Sequence, residues 1–148
     1  MTIYVGADHN GFDFKRQLMQ YLQDGGYTVV DGGNARLDPN DDFPEFAGRV
    51  VSLLKGDADP DSRGILICGS GQGMCMAANR FPGMRASLCW SVEEAHAARN
   101  DDDSNILCLP SRYLTLAQIE PIVMAWLHTS FAGAARFKRR IQKLDELV

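Results

Sequence analysis

The sequence RGILICGSGQGMCMAANR occupies residues 63–80 and carries the strongest fold signal in the chain. It opens with a continuous apolar run at 64–68, which is typical of a parallel strand covered on both faces. Three glycines alternate with other residues at 69–73, and glycine tolerates positive φ angles and the close approach of a ligand. A segment compatible with a short helix follows at 74–79. The stretch therefore predicts a strand, a turn and a helix, with backbone N–H groups lining a cradle for an anion.

Cys68 ends this predicted strand, and two interpretations of it are open. As a structural residue, it is a small buried apolar group. As a chemical residue, its thiolate is favoured by the positive end of the following helix and acts as a base or nucleophile. Ligand sites in open α/β sheets lie at the carboxyl ends of strands, so the position is compatible with chemistry. Cys75, Cys89 and Cys108 lack this setting, and we expect them to pack in the core.

Size and composition limit the class of protein. The 148 residues are enough for one domain with a single core, so we expect residues 1–148 to form one unit. Four cysteines at irregular spacing match neither a zinc motif nor a disulfide framework, and no metal site is expected. The formal net charge of −4 gives no reason to expect nucleic-acid binding. Without a signal peptide or a long apolar span, the sequence favours a cytoplasmic protein with no membrane contact.

Five strand-like runs alternate with helical patterns. The predicted strands are 3–5, 27–30, 64–68, 84–89 and 106–109, and the predicted helices are 14–22, 42–54, 74–79, 91–99, 115–128 and about 134–147. A polar connection is expected at 100–105. Short connections between alternating strands and helices favour a parallel sheet. The sequence thus predicts a single-domain, three-layer α/β/α fold, with a Rossmann-like five-stranded parallel sheet and an extra C-terminal helix.

Two polar segments have both a structural and a functional interpretation. Asp8 and His9 fall at the carboxyl end of the first strand, where Asp8 is either part of a site or the cap of the next helix. The run RFKRRIQK at 136–143 carries five cations. It is either a solvated basic helix or a helix that packs on a second subunit and carries arginines into that subunit's phosphate site.

Several motifs, taken in order, resemble one family of enzymes over nearly the whole chain. They are GADH at 6–9, DFP at 42–44, GILICGSGQGM at 64–74, AANR at 77–80, GMRA at 83–86, SNIL at 104–107 and the pair Arg136 and Arg140. This order resembles the ribose-5-phosphate isomerase B family, which also includes the subunits of galactose-6-phosphate isomerase. The core CGSGQG at 68–73 is the most specific part of the resemblance.

The resemblance implies a cofactor-free aldose–ketose isomerase that acts on a sugar phosphate, of the ribose 5-phosphate type, through a cis-enediolate. It implies Cys68 as the base and Ser70 as a stabiliser of the oxyanion. Asp8 matches a position that handles the sugar ring, and Asp101 stands at the position associated with ring opening. The positions that match substrate or phosphate binding are Gly69, Gly71, Gln72, Gly73, His9, Arg112, Arg136 and Arg140. The resemblance also implies a homodimer, or a dimer of dimers, with Arg136 and Arg140 reaching across the interface into the neighbouring site.

The chain departs from the family pattern at positions that bear on the substrate. The histidine usual after the fourth helix is Asp101 here, and His96, about one turn earlier, is an alternative replacement. Phe43 stands where tyrosine is common. Met74 stands where one branch of the family carries a glutamate base, which leaves Cys68 as the candidate base of that pair.

Other functions fit parts of the pattern. A divergent sugar-phosphate-binding paralogue or subunit, acting on a six-carbon sugar phosphate and weakly active alone, fits the missing histidine. A nucleotide-binding oxidoreductase also uses a glycine loop, but its motif normally follows the first strand, whereas these glycines follow the third. A cysteine phosphatase needs an arginine six residues after its nucleophile, where this chain has Met74.

Overall fold

A five-stranded parallel sheet forms the centre of the molecule. The computed structural model describes residues 1–147. Its strands are β1 Thr2–Ala7, β2 Thr28–Gly33, β3 Arg63–Cys68, β4 Ala86–Leu88 and β5 Ile106–Pro110. Its helices are α1 Phe12–Asp24, α2 Phe43–Gly56, α3 Gln72–Ala78, α4 Val92–Asp102, α5 Leu116–His128 and α6 Ala135–Asp145. The predicted three-layer α/β/α fold with a C-terminal helix is therefore confirmed.

The strand order places several loops together at one edge of the sheet. The strands lie in the order β2-β1-β3-β5-β4, and each neighbouring pair is parallel. The order reverses between β1 and β3, and open sheets bind ligands at the carboxyl ends of strands beside such a reversal. The register puts Ala7 beside Ile67 and Cys68 beside Pro110. The ends of β1, β3 and β5 therefore meet at one edge, the carboxyl edge, and the opposite edge is the amino edge.

Apolar side chains on the two faces of the sheet form two cores. Along β3, Ile65 and Ile67 join the core that includes residues of α1, α4 and α5, whereas Leu66 and Cys68 join the core that includes residues of α2 and α3. Side chains alternate between the faces of a strand, so this central strand is buried on both sides. That double burial explains its continuous apolar sequence. Within residues 1–147, none of the helices is both long enough and apolar enough to cross a bilayer.

Some boundaries differ from the sequence prediction. The predicted polar connection is wrong at its start, because α4 continues through Asp102. The Arg99 guanidinium donates to the Asp103 carboxylate at 2.8 Å and to the Ser104 carbonyl, which holds the helix end in place. Asp103 then ends the helix with a φ of 48°. The strand predicted at 84–89 is shorter because Met84 belongs to a turn, in which its N–H donates to the Phe81 carbonyl.

Candidate active site

Cys68 lies at the middle of the carboxyl edge. The residue is only 5 % exposed and packs in the core beneath α2 and α3. Its carbonyl accepts hydrogen bonds from the backbone N–H of Ser111 at 3.0 Å and from the Ser111 hydroxyl at 3.1 Å. These bonds join the end of β3 to the turn after β5. The structural and the chemical interpretations of Cys68 are compatible. Its side chain packs in the core, and the residue also directly precedes the glycine loop.

The glycine loop that follows β3 has neighbours that leave no room for side chains. Gly71 has a φ of 76°, and a Cβ there would lie 2.5 Å from a side-chain carbon of β4. A Cβ on Gly69 would lie 3.0 Å from Nε of Arg112, and one on Gly73 would lie 2.9 Å from the ring of Phe43. The loop therefore runs as bare backbone between a guanidinium and an aromatic ring. Such a loop lets an anionic ligand approach main-chain N–H groups closely.

The side chains of this loop divide into outward and inward positions. Ser70 is half-buried, and its Oγ accepts a long hydrogen bond of 3.4 Å from the backbone N–H of Gln72. That arrangement leaves the Ser70 hydroxyl proton for a ligand oxygen. Gln72 is exposed at the start of α3, whereas Met74 is fully buried in the core. Met74 therefore contributes packing and presents no ionisable group to the loop.

Asp8 is fixed in the turn between β1 and α1. The residue is 5 % exposed, and its Oδ1 accepts from the backbone N–H groups of Asn10 at 2.9 Å and Gly11 at 3.1 Å. The carboxylate therefore stabilises the turn that leads into α1, but it is not the cap of that helix, because the N-cap position is Gly11 and has no side-chain cap. A Cβ on Gly11 would lie 2.5 Å from the Ile67 carbonyl oxygen, so the turn packs directly on the end of β3. This packing sets Asp8 next to the end of the strand that carries Cys68.

His9 is held by Asp41, a residue that the sequence did not single out. Oδ1 of Asp41 lies 2.7 Å from Nδ1 of His9 and 3.0 Å from its backbone N. On the other side of the ring, Nε2 lies 3.0 Å from Nδ2 of Asn10, whose Oδ1 accepts from Nη2 of Arg112 at 2.8 Å. These contacts join the loops after β1, β2 and β5. The sequence analysis singled out the neighbouring Asp42, in the motif DFP at 42–44, and no local pattern indicated that Asp41 would contact His9.

The remaining cysteines differ from Cys68 in their surroundings. Burial raises the pKa of Cys89 to about 12, and burial also raises the pKa of Cys108 well above its usual value. Both thiols therefore stay protonated near neutral pH and cannot act as a base there. Cys75 is only half-buried, and a hydrogen bond with Cys108 lowers its pKa. Cys75 lies inside α3, one residue beyond Met74, and not at the end of a strand.

Asp101 lies at the amino edge, away from Cys68 of the same chain. It belongs to the last turn of α4, and its carboxylate accepts a hydrogen bond from Nδ2 of Asn100 at 2.7 Å. The chain enters β5 only at Ile106, which is paired with Gly64 at the opposite end of β3 from Cys68. Four residues of strand span about 13 Å at about 3.3 Å per residue. Asp101 is therefore far from the glycine loop of its own chain.

Arg136 and Arg140 also lie apart from the glycine loop. Arg140 and Asp102 line the same hollow of about 630 Å³ between α6 and the β4 region. The Arg136 guanidinium stacks over the ring of Phe137 at 4.5 Å. His96 is exposed on α4 and has no hydrogen-bond partner within residues 1–147. The predicted site residues thus form two groups, one at the carboxyl edge and one around α6 and the end of α4.

The carboxyl edge has the features of a small-molecule site of the open α/β class. A thiol, a bare glycine loop and the Arg112 guanidinium converge beside the reversal of strand order, where such sheets bind anionic ligands. Residues 3–144 match the family described as Ribose/Galactose Isomerase. The chain belongs to this family. Membership confirms both the resemblance found in the sequence and the predicted class of enzyme, an isomerase of aldose and ketose phosphates.

The relatives match over almost their full length. Ribose-5-phosphate isomerase B of Mycolicibacterium paratuberculosis is 39 % identical over 146 residues, covering 99 % of this chain and 91 % of the relative. Ribose-5-phosphate isomerase B of Escherichia coli is 35 % identical over 146 residues, covering 98 % and 95 %. The crystal structure of ribose-5-phosphate isomerase B from Mycoplasma genitalium with bound ribulose-5-phosphate superposes with a TM-score of 0.93 at 40 % identity, covering 99 % of this chain and 95 % of that chain.

Proposed function

We propose that this chain interconverts ribose 5-phosphate and ribulose 5-phosphate without a cofactor. The observation that carries the proposal is the position of Cys68 directly before the bare glycine loop, next to the Asp8 turn and Arg112. The similar structure from Mycoplasma genitalium has ribulose-5-phosphate bound, which supports a pentose phosphate as the substrate. In this assignment His9 and Arg112 bind the phosphate, and Cys68 lies near the reacting carbons.

The reaction moves one proton between adjacent carbons of the open-chain sugar. The Cys68 thiolate removes the proton from C2 of the aldose, and the electron pair flows through the new C1–C2 double bond onto the C1 oxygen. The resulting cis-enediolate loses the proton of its C2 hydroxyl to the C1 oxygen, and the Cys68 thiol returns its proton to C1 as C2 becomes the carbonyl. The Ser70 hydroxyl and the N–H groups of the glycine loop stabilise the oxyanion, at about 3 kcal/mol for each well-aligned donor.

The second group of predicted residues acts in the neighbouring subunit. Asp101, Arg136 and Arg140 are remote from Cys68 of their own chain, which supports a homodimer in which each copy completes the other's site. Arginine is suited to this task because its planar fork pairs with two phosphate oxygens. The partly exposed Leu144 on α6 supports contact between copies. The dimer and the cytoplasmic location remain predictions.

A second candidate is a paralogue or subunit that acts on a six-carbon sugar phosphate and is weakly active alone. Asp101 favours it, because the chain lacks a histidine at the ring-opening position. Pentose and hexose phosphates differ by one carbon and a few hydroxyls, so the same edge accommodates either class. A nucleotide-binding oxidoreductase is disfavoured, because the glycine loop follows β3 and not β1.

The test is an isomerisation screen with aldose and ketose phosphates of five and six carbons. We expect turnover of ribose 5-phosphate by the purified chain, no turnover by Cys68→Ala, and near-normal turnover by Cys75→Ala as the matched control. Turnover of hexose phosphates alone, or activity only after a second protein is added, would support the second candidate. Full activity of Cys68→Ala would show that the base is another group.

A further inference from the structure

Four side chains form a continuous hydrogen-bonded series across the carboxyl edge. Oδ1 of Asp41 is 2.7 Å from Nδ1 of His9, and Nε2 of His9 is 3.0 Å from Nδ2 of Asn10. Oδ1 of Asn10 is 2.8 Å from Nη2 of Arg112. The series joins the two residues assigned to phosphate binding, His9 and Arg112, through a residue with no assigned role. Asn10 is therefore the link between the two residues assigned to phosphate binding.

The direction of each hydrogen bond in the series is fixed by Arg112. A guanidinium can only donate, so the Asn10 amide must turn its oxygen toward Arg112. The amide nitrogen then faces His9, and because it also can only donate, Nε2 of His9 must be an acceptor. The ring proton is therefore on Nδ1, where it is donated to Asp41. In the empty site His9 is neutral, and its Nε2 presents a lone pair.

This arrangement does not suit a phosphate group. A phosphate monoester is largely a dianion at neutral pH, and its oxygens accept but do not donate hydrogen bonds. A lone pair on Nε2 repels such an oxygen, and one N–H of Nη2 of Arg112 is already donated to Asn10. His9 can donate to the phosphate only after Nε2 gains a proton and the Asn10 amide moves away. Binding of a dianion is thus coupled to both changes.

Two carboxylates and one guanidinium lie around the His9 ring. Asp41 is 5 % exposed at its side chain, accepts both Nδ1–H and the backbone N–H of His9, and has a second oxygen without a hydrogen-bond partner within residues 1–147. Asp8 is the second carboxylate, and its Oδ2 is 3.4 Å from Nδ2 of Asn10. The positive charge is that of Arg112, which is linked to the ring through the Asn10 amide.

We propose that Asn10 is a positioning residue of the phosphate subsite: it keeps His9 neutral and linked to Arg112 in the empty site, so that a dianionic phosphate binds together with a proton. The proposal rests on the assigned phosphate site of the isomerase. Within residues 1–147, Asn10 has no hydrogen bond to Cys68, so we expect its effect to be on binding and on the pH dependence of KM. The turnover number is expected to change little.

Sulfate is the appropriate probe, because it stays a dianion across the neutral range and takes up no proton itself. Calorimetry in buffers of different ionisation enthalpy counts the protons that accompany sulfate binding. We expect the wild-type chain, at about pH 8, to approach one proton per sulfate, since neutral His9 must be protonated there. His9→Gln should bind sulfate with almost no proton uptake. Asn10→Ala should take up fewer protons than the wild type and bind sulfate several-fold more tightly at the same pH.

The outcomes separate this proposal from the isomerase assignment. Gln20→Ala, which removes an exposed amide on α1, should match the wild type in proton uptake. In the empty protein, ¹⁵N shifts of His9 should place the proton on Nδ1. Sulfate binding without proton uptake, no sulfate binding, unchanged proton uptake in Asn10→Ala, or a proton on Nε2 would each overturn the proposal. Because sulfate binding requires no turnover, a chain with proton-linked binding but no isomerisation would refute the isomerase assignment alone.

Discussion

The two edges of the sheet differ in how completely their polar groups are paired. At the amino edge, the Asp103 carboxylate accepts from Arg99 at 2.8 Å and from Arg85 at 3.0 Å, so both of its oxygens are bound. At the carboxyl edge, one oxygen of the buried Asp41 has no hydrogen-bond partner within residues 1–147. Polar groups that are hydrogen-bonded to each other hold the elements of the fold together. A buried polar group without a hydrogen-bond partner destabilises the fold. The difference indicates that the amino edge serves structure and the carboxyl edge serves ligand binding.

Asp101 and Arg140 do not fit this division between a structural edge and a ligand-binding edge. Both are predicted site residues, yet they lie with the structural edge and the edge strand β4. If the protein worked as a single chain, Asp101 and Arg140 would lie too far from Cys68 to act in its site. A second copy that presents them to the carboxyl edge of its neighbour removes the conflict. The following tests address this division, from the largest expected effect to the smallest.

The largest effect is expected from Cys68→Ala at the carboxyl edge. Loss of a general base should lower kcat by roughly 100- to 10,000-fold. Sugar phosphate binding should persist, because the proposed assignment has the phosphate bound by His9 and Arg112 and not by the thiol. Equilibrium binding of ribose 5-phosphate alongside steady-state turnover measures the two separately. Equal losses of binding and turnover would mean that Cys68 shapes the pocket and does not transfer the proton.

Mixing two inactive variants tests the contribution of a second copy. Cys68→Ala and Arg140→Ala each damage a different half of a shared site. After subunit exchange, about half of the dimers are mixed, and each mixed dimer keeps one intact site, so about one quarter of the wild-type activity should return. Native mass spectrometry verifies the exchange. A verified mixture that stays inactive, or a monomeric chain at assay concentration, would contradict the shared site.

A smaller effect is expected from Asp101→His. A cyclic aldose phosphate must open before Cys68 can act, and a neutral histidine donates and accepts protons near pH 7, whereas a carboxylate is ionised and a poor acid there. At high concentrations of the wild-type chain, the rate with ribose 5-phosphate should reach a plateau set by spontaneous ring opening. Asp101→His should raise that plateau several-fold.

Asp102→His is the matched control for this change, because it makes the same substitution one residue away. It should leave the plateau where the wild type has it. A wild-type rate that keeps rising with enzyme concentration would mean that another group opens the ring. A plateau that Asp101→His leaves unchanged would mean that this position does not contact the ring oxygen.

The sequence predicted those features that depend on neighbouring residues. Three features depend only on the contiguous stretch 63–80: the burial of β3 between two cores, the bare glycine loop and the position of Cys68. The hydrophobic pattern of that stretch was therefore enough to predict them. The partnership of His9 with Asp41 depends on which loops the strand order brings together, and no local pattern encodes it. The end of α4 was missed because Arg99 bonds Asp103 and Ser104 beyond the helix, which lets polar residues with low helix propensity remain helical.

The smallest effect concerns Asp57 at the amino edge and its dependence on pH. The backbone N–H of Asp59 at 2.9 Å, the Ser62 hydroxyl at 2.7 Å and the Tyr4 hydroxyl at 2.8 Å lower the pKa of Asp57 to about 2. An aspartate in the unfolded chain titrates near pH 4, so the ionised carboxylate stabilises the fold above about pH 4, and this stabilisation is lost as the pH falls through about 2.

Asp57→Asn should therefore lower the urea midpoint at neutral pH by a small amount and leave the midpoint near pH 2 unchanged. Turnover should stay at the wild-type level, because the residue lies at the edge opposite Cys68. Asp61→Asn is the control, since Asp61 is exposed and only 3.9 Å from Arg63 in a weak ion pair. Equal destabilisation by Asp57→Asn at both pH values would assign the effect to lost packing. Reduced turnover in a stably folded Asp57→Asn would instead show that the amino edge affects the active site. The amino edge would then not be purely structural.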